Sequence, residues 1–315
     1  MKIVVIDDVL MNESQIDQLK SLGDLNIYSG TPKNQEETLN RGKDAHIIVS
    51  GWTHFSSSTL DRLPNLKMIS LWATGYDYVD IGEANKRGVT VTNVPGYAKN
   101  AVAELAISLM LSVMRKVPQA DRNVKESKAY NWGLFQGMEM SNKTIGIIGT
   151  GAIGCRVAEI ANGFNMKIIA YDPSPKDEIV RKCNVKYTSC DEIFRESDIV
   201  TVHMPLLPST HNFITEKDFA KMKKNAIFIN TARAEIVNQN DLYETLKSRN
   251  VFGAGLDEIN LSIESGEDLL KLDNVVVTPH MGFNTIEATE IKTNICIDNV
   301  RNYLSGGPSN EVRID

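Results

Sequence analysis

Residues 144–154, TIGIIGTGAIG, constrain this chain more than any other stretch. An apolar run that reads as a buried strand leads straight into Gly149, Gly151 and Gly154, spaced GxGxxG with Ala152 and Ile153 between them, and a helical pattern, CRVAEIANGF, follows. In that setting Gly149 permits a tight turn, Gly151 lets a pyrophosphate approach the backbone, and Gly154 lets helix and strand pack closely. The helix N-terminus adds free N–H groups and a partial positive charge. The next strand closes at Tyr171 and Asp172, about 20 residues on, where a carboxylate accepts hydrogen bonds from a ribose 2′-hydroxyl and repels a 2′-phosphate. No arginine stands in the next few positions. The pattern therefore implies a dinucleotide cofactor, NAD rather than NADP.

The place of this fingerprint is informative. An alternating series of its own precedes it, with KIVVID, AHIIVS, LKMISLWA and VTVTNV as strands and segments such as ESQIDQLKSL as helices. From residue 144 six more strands follow: TIGIIG, MKIIAYD, DIVTVHMP, AIFINTA, VFGAGLD and VVVTPH. Strands alternating with helices imply parallel sheets covered on both faces. An amphipathic helix over about 285–304 leads to the tail. The 315 residues suit two domains. The reading is α/β with two doubly wound parallel-sheet domains, the cofactor domain inserted: residues 1–98 with 286–315 form one domain, and residues 99–285 the other. Hinges fall near 98–100 and 284–286. Residues 100–114, NAVAELAISLMLSVM, are apolar nearly all round. That helix must be buried, between domains, against a second subunit, or as a core helix; the sequence leaves this open.

Composition narrows the partners. With 34 Lys and Arg against 40 Asp and Glu the net charge is −6, and no long basic run is present, which argues against nucleic acid. The opening MKIVVIDDVL lacks the apolar core of a signal peptide, and no stretch approaches the roughly 18 apolar residues of a membrane span. Cys155, Cys183, Cys190 and Cys296 show no CxxC spacing, so neither a metal nor disulfides are expected, and a reducing cytoplasm fits.

Three polar residues stand where strands of the second series end: Arg233 after FINTA, Asp257 after FGAGL, His280 after VVVTP. Ligands bind at that edge of open α/β sheets. The planar fork of Arg233 suits a carboxylate held in two places, and an imidazole such as His280 gives and takes a proton near neutral pH. The plainer alternatives are a surface ion pair for Arg233 and a strand-capping role for His280. His203, in VHMPLLPST, falls near the cofactor; His46, His54 and His211 are less well placed. In the first series the loop holding Thr74, Gly75 and Tyr76 can form a small anion nest of N–H groups, or be an ordinary turn.

In order and spacing, ATGYDYVD, NVPGYAKNAVAELA, KTIGIIGTGAIG, VHMPL, INTAR, GAGLD and NVVVTPHMG make the chain resemble the D-isomer-specific 2-hydroxyacid dehydrogenases over nearly its whole length. Within them it is similar to the glycerate dehydrogenase, hydroxypyruvate reductase and phosphoglycerate dehydrogenase branch. The resemblance implies a flavodoxin-like substrate domain, a Rossmann NAD domain, a cleft active site and a homodimer built on the helix from Asn100. It implies that hydride passes between NAD and a small D-2-hydroxy or 2-keto acid. Arg233 would bind substrate carboxylate and carbonyl, and His280 would be the acid–base. Thr74, Gly75 and Tyr76 would offer amides to the substrate. Asp257 would face the nicotinamide side, and Pro205, Thr231, Ala232 and Gly282 would also touch the cofactor. Trp52, Tyr76 and Phe283 would set pocket size.

One departure stands out. The family places a glutamate, partner of the histidine, five residues after the aspartate that corresponds to Asp257; here that position is Ser262, and the next acid is Glu264. Glu264 is the candidate partner of His280 if the loop bulges, with Ser262 its rival. Ala234, where the family often has glycine, is a milder change. The altered loop also motivates an alternative: a non-catalytic NAD(H)-binding regulatory or interaction protein on the same fold.

Overall fold

The computed structural model describes residues 1–313, which form two compact units: Met1–Tyr97 with the returning segment from Thr285, and Ala98–Asn284.

The first unit is a parallel sheet of five strands, β1 (Lys2–Val5), β2 (Asp24–Ile27), β3 (Ile47–Ser50), β4 (Met68–Leu71) and β5 (Thr90–Thr92), in the order β2-β1-β3-β4-β5. Both faces are covered, which is why β1, β3 and β4 read as near-continuous apolar runs rather than alternating ones. On one face Val4, Ile48, Ile69 and Val91 pack with Leu39, Leu60 and Leu63. On the other, Ile3, Val5, Ile47, Val49 and Met68 pack with Leu19 and with Cys296, Ile297 and Val300. These last three come from the helix Ile286–Leu304, capped by Thr285, whose Oγ1 accepts from Ala288 N at 3.1 Å. The strand β2, DLNI, escaped the sequence reading because it is a half-exposed edge strand without an apolar run.

The second unit is a parallel sheet of seven strands: β6 (Thr144–Ile148), β7 (Lys167–Tyr171), β8 (Lys186–Tyr187), β9 (Ile199–Val202), β10 (Ile227–Asn230), β11 (Gly253–Leu256) and β12 (Val275–Val277). Their order is β12-β11-β10-β9-β6-β7-β8, a doubly wound Rossmann sheet whose direction reverses at β6. The six strands read from the sequence are all present; the seventh, β8, has two residues, too few to leave a pattern.

The long apolar helix runs Lys99–Arg115. Its Ala103, Ala106, Leu109, Met110 and Val113 share a core with Ile145, Ile147, Ile227 and Ile229, so it is a core helix of its own unit. Gly255 makes this possible: a Cβ there would lie 2.8 Å from Cβ of Leu109. The helix stops at Lys116, which turns left-handed at φ 53°. Pro118 does not end structure but sits in the first turn of the next helix, Val117–Ser127, where its missing N–H costs nothing.

Candidate active site

The glycine fingerprint takes the shape its spacing implies. Gly149 has φ +93°, and a Cβ on it would stand 2.8 Å from the His203 carbonyl. A Cβ on Gly154 would fall 2.0 Å from the Gly149 oxygen. A Cβ on Gly151, by contrast, would meet nothing within 4 Å. Only there is the loop open, at the N-cap of the helix Ala152–Gly163, where an approaching phosphate meets free N–H groups. Asp172 directly follows β7, its Oδ2 accepting from Thr150 N at 2.6 Å and its Oδ1 from Ser174 N at 2.8 Å, which fixes a carboxylate beside the loop.

Two buried polar atoms at the strand ends of this sheet, Oγ1 of Thr231 and Nδ1 of His203, have no hydrogen-bond partner among the described residues. Nε2 of His203 is 2.9 Å from Oγ1 of Thr201, and burial pushes the imidazole down to about 3, so His203 is neutral and is no acid–base. Pro205 is exposed, its carbonyl accepting from Oγ1 of Thr210 at 2.7 Å. The open glycine loop, the fixed carboxylate and the orphaned polar atoms together fit a dinucleotide, which supplies a nicotinamide carbon that gives or takes hydride.

Arg233 follows β10, and the strand end is knotted around it: Asn230 Oδ1 accepts from Ala232 N at 2.9 Å, while Asn230 Nδ2 donates to Arg233 O at 2.8 Å. The side chain of Asp257, 3% exposed, is committed to the turn that carries the histidine. Its Oδ1 accepts from Oγ1 of Thr278 at 2.5 Å and from Met281 N at 2.9 Å, and its Oδ2 from Gly282 N at 2.8 Å. The Asp257 carbonyl accepts from His280 N at 2.6 Å. His280 is thereby held at φ +51°, a left-handed backbone that a non-glycine residue keeps only when its surroundings over-determine it. Its ring meets that of Phe283 edge-on at 6.2 Å.

The acid beside His280 is one the sequence reading missed. Oε1 of Glu258 stands 3.8 Å from Nδ1 of His280. Burial raises the Glu258 carboxyl, His280, Arg233 and the Ala234 N–H pull it back, and Glu235 opposes them. Arg233, Glu258 and His280 thus share one electrostatic neighbourhood. Glu258, and not the expected Glu264 or Ser262, is the acid in ion-pair range of the ring. Glu264 opens the helix Glu264–Leu269 and is exposed, and Ser262 is exposed with its N–H on Asn260 Oδ1. The loop before them is pinned at Asn260, which Gln239 clamps from both sides at 2.7 Å and 3.0 Å, and Gly266 presses against the Asn260 carbonyl. No spacing rule points to Glu258; its only signal was being the residue next to Asp257.

In the first unit the loop after β4 is pinned at Thr74, whose Oγ1 donates to Val94 O at 2.6 Å and whose carbonyl accepts from Asn93 Nδ2 at 2.8 Å. The N–H groups of Thr74, Gly75 and Tyr76 take no acceptor among the described residues of this unit, as an anion nest requires.

Residues 107–282 match the family model described as the D-isomer specific 2-hydroxyacid dehydrogenase, NAD binding domain. The chain belongs to that family and is an NAD-dependent oxidoreductase. It is 32% identical to a hydroxypyruvate reductase of Blautia hydrogenotrophica, over 99% of both chains. Among solved structures it is similar to an acyclic imino acid reductase in complex with NADPH and D-Arg, with 32% identity and a TM-score of 0.91 over 99% of this chain and 100% of that one. It is also similar to the D-lactate dehydrogenase of Aquifex aeolicus complexed with NAD and lactic acid, with 27% identity and a TM-score of 0.85 over 97% and 96%. Among the described residues no helix is long and apolar enough to cross a membrane.

Proposed function

We propose that this protein reduces a small 2-keto acid with NADH, and oxidises the matching D-2-hydroxy acid with NAD, using Arg233, His280 and Glu258. The observation that carries the assignment is the convergence of guanidinium, carboxylate and imidazole at the strand ends that follow the glycine fingerprint. Arg233 holds the substrate carboxylate and polarises the carbonyl. His280 delivers a proton to the carbonyl oxygen as hydride arrives, and removes it in the reverse direction. Glu258 stabilises the imidazolium and orients the ring. The amides of Thr74, Gly75 and Tyr76 are assigned to substrate binding as an anion nest. Gly149, Gly151, Ala152, Ile153 and Gly154 hold the pyrophosphate and Asp172 the ribose. His203, Pro205, Thr231, Ala232, Asp257 and Gly282 wall the nicotinamide side. In this reading the unit formed by both chain ends is the substrate domain and the unit 98–284 the NAD domain.

The test is NADH oxidation at 340 nm against glyoxylate, hydroxypyruvate, pyruvate and bulkier keto acids, with NADH binding followed by fluorescence. Turnover of at least one acid, abolished in Arg233→Ala, is the expected result. Tight NADH binding with no turnover of any acid would sink the reading.

The working state in this proposal is a cytoplasmic homodimer. Its support is the segment after the helix Val117–Ser127, where Tyr130 is 90% exposed and Trp132 87%. Exposed aromatic clusters of this kind mark interaction surfaces, and a second copy of the chain is the partner assigned. Light scattering should give a dimer for the wild type and a monomer for Trp132→Glu. A monomeric wild type would refute it.

A further inference from the structure

The loop that follows Asp172 has few means of holding its shape. Residues 173–176 read Pro-Ser-Pro-Lys, and a proline has no N–H, so Ser174 and Lys176 supply the only backbone donors there. Ser174 N donates to Oδ1 of Asp172 at 2.8 Å. Lys176 N donates to the hydroxyl of Tyr187 at 2.9 Å. Tyr187 ends β8, the two-residue strand at the edge of the sheet, and its half-buried ring packs against the core that holds Ile147, Val157 and Ala158.

The same hydroxyl shares a hydrogen bond of 2.8 Å with Oγ1 of Thr150, in which either oxygen can donate. Thr150 is fully buried between Gly149 and Gly151, and its N–H donates to Oδ2 of Asp172 at 2.6 Å. These contacts close a ring inside the second unit, from Thr150 to Asp172, along the chain to Lys176, across to Tyr187 and back. Thr150 is thus tied to the 172–176 loop twice, once through the carboxylate and once through the tyrosine. Packing accounts for the ring of Tyr187 and not for its oxygen, since phenylalanine would cover the same core. The partners of that oxygen lie in the two segments that flank Asp172.

We propose that Tyr187 is a positioning residue for cofactor recognition: its hydroxyl locks the 172–176 loop to the glycine fingerprint and so holds the Asp172 carboxylate ready for the ribose 2′-hydroxyl of NAD. The inference rests on the reading above that gives Asp172 the ribose. A carboxylate on a loose loop must be ordered when the nucleotide binds, whereas one clamped beforehand need not be. Selectivity follows the same logic, because a loop that can swing lets the carboxylate retreat from a 2′-phosphate. The effect is therefore confined to ligands with a 2′-substituent to read.

The experiment compares the full-length wild type with Tyr187→Phe. Dissociation constants for NADH and NADPH come from fluorescence titration, and those for AMP and 2′-deoxy-AMP from displacement of NADH. Wild type is expected to bind AMP about 10-fold more tightly than 2′-deoxy-AMP, the size of one hydrogen bond to a charged group. In Tyr187→Phe that ratio should fall to about threefold or less, with 2′-deoxy-AMP itself changed by less than about twofold, and the preference for NADH over NADPH should narrow by at least about threefold. The melting temperature of the cofactor-free chain reads any structural part separately. Should the phenylalanine variant fail to fold, Thr150→Val cuts the same link from the other side and carries the same expectation. An unchanged AMP ratio in the variant, whether or not the melting temperature drops, overturns the inference and leaves the ribose reading intact. A wild type that binds AMP and 2′-deoxy-AMP equally removes both.

Discussion

Oε1 of Glu258 stands 3.8 Å from Nδ1 of His280, while its Oε2 is buried with no hydrogen-bond partner among the described residues. A carboxylate held this way is costly to the fold and useful to the imidazolium. Burial raises the Glu258 carboxyl, so the native state keeps that proton to higher pH than the unfolded chain does. Its contribution to stability is complete below the unfolded carboxylate range and is lost as pH rises through the raised value. Glu258→Gln removes the charge and keeps the shape. It is predicted to slow keto-acid reduction by about 10–100-fold, with NADH affinity unchanged and a melting temperature at neutral pH equal to or above wild type. Loss of activity together with a lower melting temperature would make Glu258 merely structural.

His280 at φ +51° invites a substitution that tolerates the same backbone. Asparagine adopts left-handed conformations more readily than other non-glycine residues. His280→Asn should therefore fold and bind NADH as wild type does, yet lose about 10²–10⁴-fold in turnover. Single-turnover absorbance at 340 nm beside a binding titration checks this, and near-normal turnover would remove His280 as acid–base.

Asp257 supports the turn of 278–282 with three side-chain contacts. Asp257→Ala leaves Met281 N–H, Gly282 N–H and the Thr278 hydroxyl without their acceptor. Hydrogen bonds to charged groups are worth about 1.5–3 kcal/mol each, not additively. A loss of at least about 2 kcal/mol in urea unfolding is predicted, together with loss of activity.

The amine of Lys292, buried on the helix Ile286–Leu304 and lowered from 10.5 to about 7, makes stability depend on pH with a definite sign. Between those values the unfolded chain binds a proton that the native state does not, so stability rises with pH by up to about 1.4 kcal/mol per unit. Below that window the native state must charge a buried amine with Asp7, Tyr97 and Cys296 as its titratable neighbours, the Cys296 thiol itself pushed up to about 12 by burial. Melting curves from pH 6 to 9 should climb for wild type and flatten for Lys292→Met. Parallel curves for the two proteins would contradict the lowered amine.

Asp172 is predicted to set cofactor choice. Its carboxylate is fixed beside the glycine loop by Thr150 N–H and Ser174 N–H, and in the proposed cofactor site it would repel a 2′-phosphate. Asp172→Ser should narrow the preference for NADH over NADPH by at least about 10-fold in kcat/KM. An unchanged ratio would mean that some other group reads the ribose.

The architecture was legible because parallel strands covered on both faces leave unbroken apolar runs, and the glycine loop leaves a spacing. Arg233 and His280 stood out as candidates because each lies a few residues past the end of such a run. Strands β2 and β8 were not, one being half exposed at an edge and the other two residues long. Glu258 and Lys292 were invisible for a different reason. A glutamate beside Asp257 in the chain gains its meaning from a loop that Gln239 clamps, and a lysine inside an amphipathic helix looks like solvated charge until the rings of Trp52, Trp72 and Tyr97 close around it.

The sheet of the first unit takes its second cover from the helix Ile286–Leu304, which emerges from the ribosome after all of 98–284. During synthesis the strands made first must wait, with one apolar face covered only in part, by Leu19 and its helix, while the later unit finishes around its own complete core. Nascent chains stalled near residue 284 should accordingly resist protease across 98–284 and be cut within 1–97. Their early strands would be the part that chaperones guard, and the last helix to appear the one that releases them.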